Sequence, residues 1–429
     1  MTSMIDVLLV GSGGREHALA WKLRSSKRLG KLYIAPGNGG TRLVGENVPI
    51  KAMEFEKLAD FAKEKQIGLT VCSMDDPLAA GIVDFFQGRG LRIWGPTKAA
   101  ARVEASKAFA KQLMTETGVP TAEFKVFSDY RQALDYARAK APPIVVKASG
   151  LALGKGVYVC KTLKEAEAAL QEIMIKKSHK DAGSEVVIEE FLDGQEISIH
   201  ALSDGKTHIL FPSSQDHKPI GEGDTGKNTG GMGVIAPVPW VSMEAMRDIE
   251  QRVISPVLQV LAAKGAPYKG ILYPGLKMTS QGPRVLEFNA RFGDPECQAY
   301  MRLLKSDILD LFESCVDGNL TSQTIEWNPG FAVNIVLASG GYPDAYEKGF
   351  PISGIEEAEK DPDVVVFQAG AMIEIRSQSL VTSGGRVLGI SAVGTTLKEA
   401  LDRAYEAADR IQFEGRYFRR DIGASAMNV

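Results

Sequence analysis

The chain has 429 residues, with 50 Lys plus Arg against 53 Asp plus Glu and a formal net charge of −3. That length suits roughly two to four domains, and the near-neutral balance excludes binding driven by a global field to nucleic acid or an anionic membrane, which leaves small-molecule chemistry as the default. The four cysteines, Cys72, Cys160, Cys297 and Cys315, lack the spacing of a disulfide framework or a zinc site and suit a reducing compartment. No apolar run approaches membrane-spanning length, and Ile5–Val10, interrupted by Asp6 and lacking a basic leader, reads as a strand and not as a signal peptide. A cytoplasmic protein is expected.

Residues 4–104 alternate short apolar strands with helical patterns: Ile5–Val10, Glu16–Leu23, Leu32–Ala35, Phe55–Lys65, Gly68–Cys72, Ala79–Phe86 and Arg92–Trp94. The alternation predicts a parallel βαβ domain. Gly11-Ser-Gly-Gly-Arg-Glu16 falls where the first strand feeds the first helix, a place where backbone N–H groups and the helix dipole collect an anion. The dinucleotide fingerprint fails there, because its third glycine would stand at position 16, which is Glu. A substrate phosphate at Gly11, Gly13 and Gly14 is the better functional reading, with a purely structural tight turn as its alternative.

Trp94-Gly-Pro-Thr97 punctuates the chain, and a domain boundary is expected near residue 104. A helix over Ser106–Thr117 is closed by Gly118, followed by a strand at Glu123–Phe127, a helix at Asp129–Lys140 and a strand at Ile144–Lys147. Ala148-Ser-Gly-Leu-Ala-Leu-Gly-Lys-Gly156 then leads straight into the strand Val157–Cys160, a glycine-rich hairpin that lacks the glycine and hydroxyl positions of a Walker loop. Its glycines and lysine can offer N–H groups and charge to phosphates, or be a hairpin tip with a solvated lysine; the residues alone leave both open. A helix over Leu163–Lys176 precedes the strands Glu185–Phe191 and Glu196–His200, joined at Gly194, and His200 and His208 read as packed or surface side chains. Ser213–Gly233 reads as a long irregular loop, which in a compact domain is either functional or disordered. A helix at Glu244–Ala263, strands at Gly270–Met278 and Arg284–Asn289, and a helix at Asp307–Val316 complete this part. From residue 319 onward come the strands Phe331–Ala338, Val364–Gln368 and Arg386–Ala392 and the helix Leu397–Ile411, with little visible chemistry.

The most informative stretch is Arg284-Val-Leu-Glu-Phe-Asn-Ala-Arg-Phe-Gly-Asp-Pro-Glu296. Strand alternation sends Glu287, Asn289 and Arg291 to one face and Leu286, Phe288 and Ala290 to the other, toward a core. A Glu and an Asn supply hard oxygen ligands of the kind Mg²⁺ takes beside bound phosphates, and Arg291 would neutralise a transferring phosphoryl oxygen. An edge strand with a polar solvent face is the alternative.

Glu287-Phe-Asn-Ala-Arg-Phe-Gly-Asp-Pro-Glu296 resembles the metal strand of the ATP-grasp ligases, and more narrowly that of the phosphoribosylamine–glycine ligases of purine biosynthesis. Gly11-Ser-Gly-Gly-Arg-Glu-His-Ala18, Pro36-Gly-Asn-Gly-Gly-Thr41, the Gln215-Asp-His-Lys218 and Asp224–Gly233 segments, Gly340-Gly-Tyr-Pro343, Gly384-Gly-Arg-Val-Leu-Gly389 and Arg419-Arg-Asp-Ile-Gly423 are similar to landmarks of the same family, so the resemblance spans nearly the whole chain. It implies an α/β fold with a Rossmann-like N-terminal domain over 1–104, an ATP-grasp domain over 105–318 and a small β-rich C-terminal domain over 319–429. The implied reaction joins glycine to 5-phosphoribosylamine at the expense of ATP, with Mg²⁺ or Mn²⁺, through a glycyl phosphate. Carried over residue by residue, Lys107 and Lys147 match the nucleotide lysines, and Gly154, Lys155 and Gly156 the phosphate flap. Glu189, Glu190, Phe191 and Glu196 match the adenine and ribose crossover, and Glu287 and Asn289 the metal ligands. Arg291 and Lys155 would stabilise charge in the transfer. Gly11, Gly13, Gly14, Asn38, Asp75, Asp216, His217, Lys218, Thr229 and Asp294 would meet substrate. The implied partners are these small molecules, without nucleic acid or membrane, in a monomer or weak homo-oligomer.

The chain departs from the family pattern in three places. Ser73-Met-Asp75 stands for Gly-Pro-Glu, Lys147-Ala-Ser-Gly-Leu-Ala-Leu153 for Lys-Ala-Asp-Gly-Leu-Ala-Ala, and Gln368-Ala-Gly-Ala371 for His-Ala-Gly-Thr. A ligase with another amine acceptor, and a catalytically silent nucleotide-binding protein, are the alternatives.

Overall fold

The structure is a computed structural model and describes residues 4–152, 156–178 and 180–427. Its first sheet has five parallel strands in the order Glu46–Asn47, Leu29–Pro36, Ile5–Gly11, Leu69–Cys72 and Ile93–Trp94. The central strand is apolar from Val7 to Val10 because helices cover both its faces: Leu8 and Val10 enter one core, Val7 and Leu9 the other. The predicted helix Ala79–Phe86 is in fact two, Asp75–Ala80 and Ile82–Gln87, broken at Gly81, whose φ of +97° is left-handed. A helix not anticipated from the sequence, Lys98–Ala105, is capped by the Thr97 hydroxyl and hands over at Ser106 to the helix Lys107–Thr117.

Two antiparallel sheets follow. Phe124–Phe127, Val186–Glu190, Ile144–Ala148 and Val157–Cys160 form the first, with the helices Tyr130–Lys140 and Leu163–Leu170 over one face. The second pairs Gln195–Ser198 and Ala201–Asp204 with one edge of the long strand Lys269–Thr279 and Gly282–Asn289 with its other edge. The predicted helix Leu163–Lys176 is α-helical to Leu170 and widens to a π turn over Gln171–Ile175.

The last sheet is built from both sides of residue 319. Its order is Gln215–Asp216, Gly233–Ala236, Phe331–Ala338, Arg386–Gly394 and Val364–Gln368, with the helix Leu397–Arg410 packed against it. The stretch expected to be an irregular loop, Ser213–Gly233, therefore carries strand pairing: Gln215–Asp216 joins this sheet, and Pro219–Gly221 pairs with Thr225–Asn228 as a hairpin. A further unanticipated helix, Glu296–Leu303, begins directly after the Gly-Asp-Pro turn. Among the described residues no helix is long and apolar enough to cross a membrane.

Candidate active site

The sheets enclose one large cavity of about 1120 Å³, lined from all three parts of the chain. The strand Gly282–Asn289 on its wall does not alternate cleanly. Glu287 lies opposite Gly275 and Val285 opposite Leu276, so Leu286 is an extra residue in a bulge. Phe288 and Ala290 are buried as expected, at 2% and 1% exposure, but Leu286 lines the cavity beside Glu287. The expectation that Leu286 faces the core is corrected by that bulge.

Glu287 sits among cations. Burial alone would raise its carboxyl, but Lys218, Lys107, Lys147 and Arg291 outweigh that and bring it down to about 2. Lys218 reaches the Glu287 carboxylate at 3.8 Å and makes a closer ion pair with Glu196. Burial lowers the Lys107 ammonium; its Nζ donates to the Gly150 carbonyl at 3.4 Å, while its backbone N–H donates to Ser149 O at 2.7 Å. The Ser149 hydroxyl accepts from the Ala108 N–H at 3.1 Å, so the serine at this departure from the family pattern helps to cap the helix. Lys147 pairs with Glu189 at 2.8 Å and donates to the Leu286 carbonyl at 3.0 Å, and Glu189 also pairs with Lys111 at 2.9 Å. Arg291 is held by Glu104 at 2.9 Å and donates to Asn289 Oδ1 at 3.3 Å; Glu104 accepts in addition from the Ala290 N–H at 2.8 Å.

The opposite end of the cavity is built around two carboxylates. Asp294 accepts from the Gln298 amide at 2.8 Å and pairs with Arg386 at 3.3 Å. Burial would raise the Asp294 carboxyl, yet Arg386 and Arg15, with the Gln298 amide, hold it below the usual range. Arg386 also donates to the carbonyls of Gly230, Gly231 and Asp294, which ties the C-terminal sheet to the 215–233 segment. Asp216 stands the other way: burial, with Glu296 adding to it, pushes its carboxyl well above the carboxylate range. Asp75 lines the same cavity, and the Ser73 hydroxyl accepts from the Phe292 N–H at 3.1 Å, joining the loop after Leu69–Cys72 to the residues that follow Gly282–Asn289. A lysine-rich, anion-binding end thus faces a mixed-charge end across Glu287, an arrangement able to hold a polyphosphate against a second polar substrate.

Models of the N domain, the ATP-grasp (A) domain and the C domain of phosphoribosylglycinamide synthetase match residues 5–104, 105–297 and 332–425. The chain belongs to the phosphoribosylglycinamide synthetase family. It is 48% identical over 428 residues to the phosphoribosylamine–glycine ligase of Chlorobaculum tepidum, covering 99% of this chain and 100% of that protein. The Pasteurella multocida ligase is 48% identical over 426 residues, covering 99% and 98%. The crystal structure of phosphoribosylamine–glycine ligase from Thermotoga maritima superposes with a TM-score of 0.84 at 34% identity, over 97% of this chain and 100% of that one. A biotin carboxylase from Campylobacter jejuni shares the fold alone, with a TM-score of 0.74 at 13% identity over 100% and 96%.

Against this synthetase background, the cavity brings together Lys107, Lys147, Gly156, Glu189, Glu190, Phe191, Glu196, Asp75, Asp216, His217, Lys218, Thr229, Asp294, Glu287, Asn289 and Arg291. Gly154 and Lys155 lie outside the described residues. Gly11, Gly13, Gly14 and Asn38 are not among the residues lining the cavity, although Gly13 and Gly14 stand next to Asp294, which does line it. The Gly13 N–H donates to the Glu16 carboxylate at 2.8 Å, so the protein's own anion occupies that amide. A Cβ at Gly11 would come within 2.4 Å of Glu16 Cγ, and the φ of +136° there requires glycine. The Asn38 amide donates to the Ser12 and Gln368 carbonyls at 2.8 and 2.7 Å, and its oxygen accepts from the Gly40 and Thr41 N–H groups, which spends the side chain on joining the first and last sheets. His217 is similarly engaged, Nδ1 on the Gly233 carbonyl at 3.1 Å and Nε2 accepting from the Gly423 N–H at 3.1 Å. Sequence reading missed Arg15, Glu104, Lys111, Glu296 and Arg386. Lys111 carried the one readable signal, standing a single helical turn after Lys107.

Proposed function

We propose that this chain ligates glycine to 5-phosphoribosylamine, consuming ATP and forming glycinamide ribonucleotide, ADP and phosphate. The observation that carries the reading is the single cavity in which Lys107, Lys147, Glu287, Asn289 and Arg291 face Asp216, Lys218, Thr229, Asp294 and Asp75. The names borne by full-length relatives support it. In this reading residues 1–104, 105–318 and 319–429 are the three domains, and the protein works in the cytoplasm as a monomer or weak homo-oligomer. The four buried, unpaired thiols are in keeping with that compartment.

A carboxylate is a poor electrophile until one of its oxygens becomes a leaving group. The glycine carboxylate attacks the γ-phosphorus, ADP leaves, and the amine nitrogen then attacks the acyl carbon, expelling phosphate and losing a proton. Lys107 and Lys147 hold the phosphates by charge, and Lys155 is assigned the same task on the flap with Gly154 and Gly156. The adenine lies along the Glu189–Phe191 crossover, read by backbone groups, while Glu196 accepts from ribose hydroxyls. Arg291, already poised on Glu104, reaches the transferring phosphoryl oxygen.

Glu287 and Asn289 fit Mg²⁺ or Mn²⁺. The carboxylate is held ionised, the amide oxygen stands two residues along, and no cluster of three or more His, Cys, Asp or Glu forms a closed cage among the described residues. Held by Glu287 and Asn289, such an ion would supply positive charge to the phosphate groups. At the other end Asp75, Asp216, Lys218, Thr229 and Asp294 take up the two smaller substrates. The test is steady-state ADP release from the purified protein: with glycine present it is stimulated by 5-phosphoribosylamine if the reading is right, and does not respond to 5-phosphoribosylamine if it is wrong.

A further inference from the structure

Glu189 lies between two lysines at the base of the lysine-rich end. Its Oε1 is 2.8 Å from Lys147 Nζ, and its Oε2 is 2.9 Å from Lys111 Nζ. All three side chains are 5% exposed or less. Lys111 is further fixed by donating to the Thr121 hydroxyl at 2.6 Å, and Thr121 donates in turn to the Val285 carbonyl at 2.6 Å, on the metal strand. Lys147 also donates to the Leu286 carbonyl, on that same strand.

Charge counting gives this triad its meaning. A carboxylate paired with Lys147 alone would cancel that lysine and leave a neutral couple facing the nucleotide. With Lys111 present the three groups sum to one positive charge, and the charge not spent on Glu189 is delivered by Lys147. Lys111 stands one helical turn after Lys107 and meets Oε2, the carboxylate oxygen that Lys147 does not.

We propose that Lys111 is a positioning residue for nucleotide binding: by neutralising Glu189 from behind, it releases the charge of Lys147 to the ATP phosphates. Glu189 in turn accepts a hydrogen bond from Lys111 and faces Lys147 as an ion pair, so its side chain is part of the phosphate machinery and the adenine edge is left to the backbone of the crossover. The inference rests on the nucleotide site described above.

The test is calorimetric titration of ADP with Mg²⁺ into the intact protein and three variants, with thermal melts alongside. Lys111→Met raises the dissociation constant about tenfold or more, since a unit charge is lost from a low-dielectric site. Lys111→Arg stays within about threefold of wild type. The double variant Lys111→Met with Glu189→Gln recovers most of the loss, because removing one charge of each sign again leaves Lys147 unopposed, whereas a merely structural lysine shows no such rescue. Should Lys111→Met fail to fold, the double variant, in which Lys147 is the one charge left of the three, is compared with wild type instead: affinity within about threefold supports the proposal, and a loss of about tenfold or more overturns it. Wild-type-like affinity in Lys111→Met, or a double variant as weak as or weaker than the single one, overturns the proposal; failure of the wild-type protein to bind the nucleotide would instead remove the site on which it rests.

Discussion

Replacing Arg386 by Met removes a guanidinium while keeping most of the aliphatic stem, and the structure sets the size of the effect. Arg386 donates to the carbonyls of Gly230, Gly231 and Asp294 and pairs with the Asp294 carboxylate at 3.3 Å. Both side chains are largely buried, at 21% and 19% exposure. Removing one partner of a buried ion pair costs about 3–5 kcal/mol because the other charge is left behind. Here Gln298 still donates to Asp294 and Arg15 still faces it, so the expected loss is near the lower end, about 3 kcal/mol. Urea unfolding should therefore show a lower midpoint with an unchanged slope. The pH dependence has a definite sign. The folded Asp294 carboxyl is held below its ordinary 3.8, so its contribution is complete above about that value and is lost as pH falls through the depressed folded value. Without Arg386 the folded value rises, and acid unfolding begins at a higher pH. Kinetically, the KM for 5-phosphoribosylamine should rise about tenfold while that for ATP stays near wild type, since Arg386 touches only the far end of the cavity. A loss of under about 1 kcal/mol together with unchanged KM values would refute this account of Arg386.

Glu287→Ala should abolish turnover, by about a thousandfold or more, with the circular dichroism spectrum retained, because it deletes the proposed metal ligand from a strand whose pairing is made by backbone groups; turnover at the wild-type level would end the metal assignment. Asp75→Ala should raise the KM for phosphoribosylamine and spare that for ATP, and a variant indistinguishable from wild type toward both would make Asp75 an ordinary surface acid. With hydroxylamine in place of the amine, glycine and ATP should yield glycine hydroxamate; formation of another hydroxamate in its stead would remove glycine from the reaction.

Much of this site is local enough to read in a single chain. Glu287, Asn289 and Arg291 follow from strand alternation, and the parallel first sheet follows from its apolar runs and helical spacers. What escaped depends on partners distant in sequence. The bulge that turns Leu286 toward the cavity appears only in the register with the partner strand, where Glu287 lies opposite Gly275 and Val285 opposite Leu276. Glu104 sits on an alanine-rich helix with no motif, and its task comes from Arg291 and the Ala290 N–H, 186 positions away. Arg386 acquires its role from the Gly230 carbonyl, 156 positions earlier. The 215–233 segment looked irregular because its strands are two to four residues long and pair with one another or with the last sheet, too short for periodicity to register. Gly13 and Asn38 carried family landmarks, yet their hydrogen bonds go to Glu16, Ser12 and Gln368, so the motif there also serves the seam between sheets.

The central claim is that the glycine carboxylate is activated by phosphoryl transfer before the amine attacks. Glycine labelled with ¹⁸O in its carboxylate tests it most directly, by mass analysis of the phosphate released during turnover with ATP and 5-phosphoribosylamine. The account predicts that each phosphate carries one oxygen from glycine and that phosphate release stops when glycine is withheld. Phosphate free of label, or released equally well without glycine, would contradict it.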